Sequence, residues 1–122
     1  NLIGRHPVDR KRMAIVERNG KTAITNWQVR PDLIPPRPEC PIAAVECRIE
    51  TGRTHQIRVH MASLGTPVIG DKVYGKSPLD KRLSPVPARQ MLHAWKLTLW
   101  HPVKNVKMSF EAPIPEDMRA YL

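Results

Sequence analysis

Residues 44–65 read AVECRIETGRTHQIRVHMASLG, and the hydrophobic pattern changes its period within this stretch. In residues 44–50, Val45, Cys47 and Ile49 alternate with charged side chains. Because alternate residues of a β-strand point to opposite faces of its sheet, this pattern predicts a strand with one apolar face and one face in water. We expect the apolar row to lie in the core.

The segment after that strand, residues 55–64, is ambiguous in its period. Its apolar residues fit the period of two of a strand, and they also fit the spacing of three to four of a helix. Thr54 is a favoured N-cap residue, and Gly65 is the residue type that most often follows a helix end. These two flanking residues favour a short helix.

Two antiparallel hairpins are predicted on either side of this central stretch. The first joins residues 13–17 to residues 21–29 through Asn19-Gly20, a pair that tolerates positive φ in tight turns. The second joins residues 95–99 to residues 106–110, which both alternate apolar and polar side chains. Neighbouring antiparallel strands of this kind are typical of α+β proteins.

The remaining segments are loops and a C-terminal helix. Proline is frequent in residues 31–41 and 76–90, and it is excluded from sheet and helix interiors, so both segments are predicted to be loops. Residues 113–122 are predicted to form a short helix with Pro115 at its first position. The chain is therefore predicted to be α+β, with about six strands in a mixed, mainly antiparallel sheet and two short helices.

Composition narrows the classes of function. The chain has 122 residues, which suits one domain or part of one, and its net charge of +9 favours a polyanionic partner, nucleic acid first. No apolar run approaches the ~20 residues needed to span a membrane, and no signal peptide opens the chain. Two cysteines, Cys40 and Cys47, do not form a disulfide framework, so a reducing cytoplasm is expected.

Residues 50–60, ETGRTHQIRVH, concentrate the polar chemistry. A helix that begins near His55 offers free N–H groups to an anion such as phosphate. Arg58, one turn further, has the reach to hold a carboxylate through two hydrogen bonds. His55 and Gln56 could bond to base edges or ribose hydroxyls. An equally weighted interpretation is a polar helix face with a well-bonded histidine.

Longer motifs resemble the RluA-type pseudouridine synthases. The run TGRTHQIRVHM at residues 51–61, followed by GDKVYG at residues 70–75, is similar to the third motif of that family. Segments at both ends of the chain also resemble the family: RHP at 5–7, LHAWKL at 92–97, HP at 101–102 and APIPEDM at 112–118. The resemblance therefore covers nearly the whole chain.

The resemblance implies an enzyme that isomerises uridine to pseudouridine in structured RNA without a metal or organic cofactor. An aspartate acts as nucleophile, the glycosidic bond breaks, the base rotates and a carbon–carbon bond forms. By position, Arg58 corresponds to the arginine that pairs with that aspartate, and a buried carboxylate needs such a cation to stay charged. Ile57 is expected to pack beneath the active site. Weaker candidates for contacts with RNA or with neighbouring loops are Arg53, His55 and Gln56, and Thr54 is also a candidate for binding RNA.

The substrate that the resemblance implies is RNA. Members that act on large-subunit ribosomal RNA are the most similar, and members that act on transfer RNA share the same motif. The expected compartment is the cytoplasm, with no membrane partner.

One departure from the family pattern concerns the nucleophile. The His-Arg-Leu-Asp motif and the active-site tyrosine of the family do not occur in this sequence. Asp80 lies in a different context, and Asp71 matches a Gly-Asp turn in which a structural role is expected. We therefore expect residues 1–122 to be the C-terminal portion, about half, of a pseudouridine synthase catalytic domain. Alone it would be inactive, and the N-terminal half of the domain would be its partner.

Other functions are less well supported by the residues. The spacing of His55 and His60 does not match a metal-binding helix, so no metal site is expected. The main alternative is a basic RNA-binding module without catalysis, which would explain the charge and the missing aspartate. A ribosomal-type structural protein would need longer basic tails. Trp27 and Trp95 are expected in the core, which leaves Trp100 as the candidate for stacking on a base.

Overall fold

The computed structural model describes residues 2–6, 12–16, 20–35, 42–75, 83, 86–100 and 102–122. It divides into two compact units, residues 1–91 and residues 92–122. The strands are β1 (Leu2–Arg5), β2 (Met13–Val16), β3 (Lys21–Thr22), β4 (Thr25–Val29), β5 (Val45–Ile49), β6 (Lys96–Trp100) and β7 (Lys107–Glu111), and the helices are α1 (Gln56–Ser63) and α2 (Glu116–Arg119). All described strand pairs are antiparallel, and the predicted α+β class is confirmed.

The first sheet has the order β2-β1-β3, so the predicted pairing of residues 13–17 with residues 21–29 is wrong. Strand β1 lies between the two expected partners, with Ile3 opposite both Ile15 and Lys21. The physical reason is burial: Ile3 lies in the core with Ala23 and Val59 of α1, and a central strand position covers it on both edges. Asn19 of the predicted turn lies outside the described residues.

The second sheet pairs β4 with β5, and the predicted strand at residues 44–50 is confirmed. Trp27 faces Cys47 and Val29 faces Val45, so these side chains form one apolar face. Helix α1 contacts this face at Thr25, whose Oγ1 lies 2.7 Å from Nδ1 of His60. The rest is uncovered: Trp27 is 53% exposed, so its predicted place in the core is wrong for this chain. The prediction that Val45, Cys47 and Ile49 lie in the core is also wrong, since Ile49 is 50% exposed.

Helix α1 confirms the predicted short helix and its C-terminal end. Gly65 has a φ of 77°, and the amide of Thr66 donates to the carbonyl of Met61, which closes the helix with a Schellman motif. The N-cap is His55 rather than the predicted Thr54. His55 has left-handed backbone angles, φ 54° and ψ 24°, which a non-glycine residue rarely adopts.

The C-terminal unit contains the predicted second hairpin, with Leu97 opposite Phe110 and Leu99 opposite Met108. These four residues form an apolar face on which Leu97 is 57% exposed. Trp95 precedes β6 and is half-buried, with its indole N–H donating to Glu111.

The C-terminal helix is present but begins later than predicted. Pro115 is the N-cap of α2 and not its first helical residue, and Glu116 and Asp117 occupy the first turn. Acidic residues there are favourable for the helix dipole.

Gly70 has a conformation and surroundings that no other residue fits. Its φ is 80°, and a Cβ atom there would overlap the carbonyl group of Arg89 and lie 3.0 Å from Cβ of Pro87. Gly65 has a similar φ of 77°, but a Cβ atom there would enter open space. A substitution at Gly65 therefore introduces backbone strain alone, whereas a substitution at Gly70 introduces both strain and steric overlap.

We expect Gly70→Ala to lower the free energy of unfolding of the intact protein by about 2–4 kcal/mol, from left-handed strain plus overpacking. Gly65→Ala should cost about 1 kcal/mol, because strain acts there alone. Urea denaturation of both variants measures the difference. Equal losses would show that the close approach of Arg89 is not required by the fold.

Candidate active site

A buried ion pair between Arg58 and Asp71 is the centre of the site. The carboxylate of Asp71 is fully inaccessible, and the Arg58 side chain is 12% exposed. Nε of Arg58 donates to Oδ2 at 2.8 Å, and Nη2 donates to Oδ1 at 2.9 Å. This side-on, two-bond geometry fixes the plane of the guanidinium.

The turn after Gly70 satisfies the rest of the Asp71 carboxylate. The backbone N–H groups of Val73 and Tyr74 both donate to Oδ1 at 3.0 Å. Burial by itself would raise the pKa of Asp71, but the bond from Arg58 and these two N–H groups outweigh it and hold the pKa below its usual range. The carboxylate is therefore charged at neutral pH, and its hydrogen bond raises the pKa of Arg58.

One edge of the Arg58 guanidinium remains open. Its bonds to Asp71 use Nε and Nη2 along one side, and within the described part of the chain Nη1 has no hydrogen-bond partner. A guanidinium presents five N–H donors in a fixed plane, so it can hold a second carboxylate at the end formed by Nη1 and Nη2.

Tyr74 connects Arg58 to two other basic residues. Its ring lies 5.0 Å from Cζ of Arg58 and 5.2 Å from Cζ of Arg12, distances at which guanidinium groups interact with an aromatic face. Its hydroxyl accepts the backbone N–H of Met13 at 2.9 Å and lies 2.7 Å from Nδ1 of His55. Tyr74 therefore joins α1 to the start of β2.

His55 is exposed and lies at the rim of this cluster. Burial and then the positive charge of Arg58 lower the pKa of its imidazole, and these outweigh the opposite effect of Asp71. Because its pKa lies below the usual 6.5, the ring is neutral at pH 7.

Gln56, predicted to contact RNA, is 3% exposed and forms four hydrogen bonds inside the protein. Its Nε2 donates to the carbonyl of Ile24 and to Oγ1 of Thr25, both at 2.9 Å. Its Oε1 accepts the hydroxyl of Thr51 and the backbone N–H of Arg53. The amide thus fastens the loop before α1 to the segment between β3 and β4.

The other residues singled out from the sequence lie in different environments. Arg53 is half-buried and donates from Nε to the carbonyl of Thr22 at 2.7 Å, whereas Thr54 is exposed. Ile57 is half-buried beside Arg58 in α1. Tyr74 was missed as a site residue, although it lies within the GDKVYG motif. Nothing local in the sequence indicated that its hydroxyl reaches His55.

His60 is buried on the opposite side of α1, next to a hollow of about 300 Å³ that Trp27, Met61 and Leu64 also line. Burial lowers the pKa of His60, and Nε2 is buried without a hydrogen-bond partner in the described part. The two histidines of α1 therefore lie in separate environments.

Among the described residues, no three or more His, Cys, Asp or Glu side chains are grouped to hold a metal ion. No described helix has the length and apolar character to cross a membrane.

Comparisons with known proteins agree on one family. Residues 3–63 match the family model for RNA pseudouridylate synthase. The ribosomal large subunit pseudouridine synthase D of Nitrosomonas europaea is 44% identical over 98% of this chain and 34% of its own length. The Escherichia coli K12 protein of the same name is 41% identical over 95% of this chain and 36% of its own length. The chain thus spans about a third of the length of these curated relatives.

A solved structure is similar over the same extent. Human RNA Pseudouridylate Synthase Domain Containing 1 superposes with a TM-score of 0.68 at 28% identity. The match covers 98% of this chain and 49% of the human one. The fold described above therefore corresponds to about half of that chain.

Proposed function

This chain belongs to the RNA pseudouridylate synthase family, and from that membership we propose that it is the C-terminal portion of a catalytic domain that converts uridine to pseudouridine in RNA. The observation that carries the proposal is the buried Arg58–Asp71 pair, because it lies in the two motifs that resemble the family. Isomerisation breaks the glycosidic bond of a uridine and rejoins the same base through carbon.

Large-subunit ribosomal RNA is the proposed substrate, and the cytoplasm is the proposed compartment. The relatives from Nitrosomonas europaea and Escherichia coli are named for the ribosomal large subunit. The net charge of +9 suits a polyanion of this kind. Transfer RNA is the second candidate substrate.

Arg58 has a proposed catalytic role toward an aspartate supplied by the rest of the domain. Asp71 occupies one side of the guanidinium and fixes its plane, while no described residue bonds to Nη1. The nucleophilic carboxylate would bind at this open end and stay ionised there, correctly aimed at the sugar. Asp71 is then the fixed support of Arg58, and Ile57 packs beside it.

Two uncovered apolar faces favour the proposal that this chain is part of a larger domain. On the β4–β5 face, Trp27 and Ile49 are about half-exposed, and on the β6–β7 face Leu97 and Phe110 are as well. Two-stranded sheets are marginally stable in water without a covering layer. We propose that the N-terminal half of the domain covers these faces and brings the aspartate to Arg58.

The 122-residue chain alone is expected to form no pseudouridine in a large-subunit ribosomal RNA transcript, because it lacks the proposed nucleophile. The full-length protein, and the chain produced together with the N-terminal half, should both form it. Mass spectrometry of digested RNA after a pseudouridine-specific label measures the product. Turnover by the chain alone would contradict the division of the site between two halves.

The same assay separates the enzyme from the alternative of a basic RNA-binding module. If the full-length protein binds the transcript but forms no pseudouridine, the binding module is the correct interpretation. If it forms pseudouridine and loses this activity when the aspartate is replaced, the module is excluded.

A further inference from the structure

We infer that Tyr74 is a positioning residue that holds His55 with its Nε2–H directed outward, and that His55 donates this hydrogen bond to an oxygen of the RNA backbone. The inference rests on the proposed function, since it assigns a contact to the RNA that the site would bind. It adds to the expected RNA contact of His55 a role for Tyr74, which lies outside the residues 3–63 that match the family model.

The hydrogen bonds of the Tyr74 hydroxyl determine which nitrogen of His55 carries the proton. The oxygen accepts the backbone N–H of Met13 at 2.9 Å, and this bond uses one lone pair. The hydroxyl proton is then directed to its other near neighbour, Nδ1 of His55 at 2.7 Å. An imidazole that accepts at Nδ1 carries its proton on Nε2, so the tyrosine selects the tautomer of the histidine.

The backbone conformation of His55 sets the direction of its ring. The left-handed backbone of His55 is costly for a residue with a Cβ atom, and a strained conformation at a ligand site indicates a function. Here it turns the side chain toward Tyr74, and the two rings meet edge to face with centroids 5.6 Å apart. Because His55 is exposed while Nδ1 is occupied, Nε2–H is the polar group left to meet a ligand.

Two guanidinium groups lie close to His55 and Tyr74. Arg58 and Arg12 both contact the ring of Tyr74, and Asp71 neutralises the first of them. Nε of Arg12 is buried, and within the described residues it has no hydrogen-bond partner. A neutral donor beside a guanidinium that has no carboxylate partner among the described residues favours an anionic or oxygen-rich group, which an RNA backbone supplies.

The test compares hydroxyl deletions at the two tyrosines of the chain in the full-length protein. Tyr74→Phe keeps the ring that contacts both arginines and removes the hydroxyl, and Tyr121→Phe is the matched control in the C-terminal unit. With a large-subunit ribosomal RNA transcript as probe, Tyr74→Phe should bind about fivefold more weakly, as expected for one lost hydrogen bond. Tyr121→Phe should bind as the wild type does.

The salt dependence of affinity identifies the kind of contact. A neutral donor releases no counterion, so the slope of log K against log salt should be unchanged in Tyr74→Phe. A cationic His55 would instead contribute about 0.7 to that slope, and its loss from the variant would overturn the inference. So would wild-type affinity in Tyr74→Phe.

A second variant distinguishes a loss of RNA affinity from a loss of folding. His55→Asn suits a left-handed N-cap position, so the thermal midpoint should be preserved while RNA affinity falls about fivefold. Nitrogen-15 NMR of labelled histidine should show His55 as the Nε2–H tautomer in the wild type and as a mixture in Tyr74→Phe. An Nδ1–H tautomer in the wild type would overturn the inference.

These results are distinguishable from failure of the proposed function. If the wild-type protein forms no pseudouridine, the proposed function fails whatever the histidine does. If it forms pseudouridine and both variants bind RNA with wild-type affinity, the inference fails and the proposed function stands.

Discussion

Arg58→Lys is expected to reduce pseudouridine formation by the full-length protein about 100–1000-fold, the range typical for loss of a preorganised charge contact in an active site. A lysine ammonium cannot make two parallel bonds to Asp71 and also meet a second carboxylate at a fixed end. It keeps the positive charge, so the loss would come from geometry. The free energy of unfolding should fall by only about 1–2 kcal/mol, since one hydrogen bond to Asp71 remains.

Arg30→Lys is the matched control for that measurement. Arg30 also makes a two-bond pair with an aspartate, Asp32, through Nε and Nη2 at 2.9 and 2.7 Å, but Asp32 is 59% exposed. Single-turnover rates with a ribosomal RNA transcript should be unchanged in this control. An Arg58→Lys enzyme as fast as the wild type would show that planar pairing by Arg58 is not used in the reaction.

Asp71→Asn should lower the free energy of unfolding by about 1.5–3 kcal/mol, because it removes the charged acceptor of two Arg58 hydrogen bonds while the proposed nucleophilic carboxylate still faces the open end of that guanidinium. Asparagine has nearly the same shape and can still accept the N–H bonds of Val73 and Tyr74. The loss therefore measures the charge and not the packing. Urea denaturation of the full-length protein gives the value.

The same variant should change how stability depends on pH. The pKa of Asp71 is lower in the folded protein than the unfolded value of about 3.9, so its contribution is complete above that value. The contribution is lost as the pH falls through the folded pKa. Asp71→Asn should lack this part of the acid transition.

Asp32→Asn provides the exposed counterpart of Asp71→Asn. Its pair with Arg30 lies at the surface, where solvent screens the charges, so we expect no measurable change in the thermal midpoint. If the Asp71 and Asp32 variants were equally stable, burial of the Arg58–Asp71 pair would not matter to the fold.

The features that the sequence predicts well are those with a local signal. Strand β5 and the β6–β7 hairpin follow from alternation over neighbouring residues, and the end of α1 follows from Gly65. Strand β1 was missed because it is four residues long and includes a glycine. Its position between β2 and β3 depends on pairing with residues that are distant in the sequence, and local patterns do not specify such pairing.

The candidate site shows the same division. Arg58 could be singled out from residue type and motif, and Asp71 could be assigned a structural role. Their direct pairing and the hydroxyl of Tyr74 beside His55 depend on how the turn after Gly70 returns to α1. Gln56 was a candidate for contacts with RNA or with a loop, and its amide bonds the loop before α1 to the segment between β3 and β4, a pairing of distant segments that the motif does not specify.

In the part of the chain that the structure describes, the β4–β5 and β6–β7 sheets have only two strands each, and this bears on whether these residues could be produced separately from the rest of the domain. A reading frame that encoded these residues apart from the rest of the domain would release a basic polypeptide with open strand edges, which attract chaperones and proteases or pair with other chains.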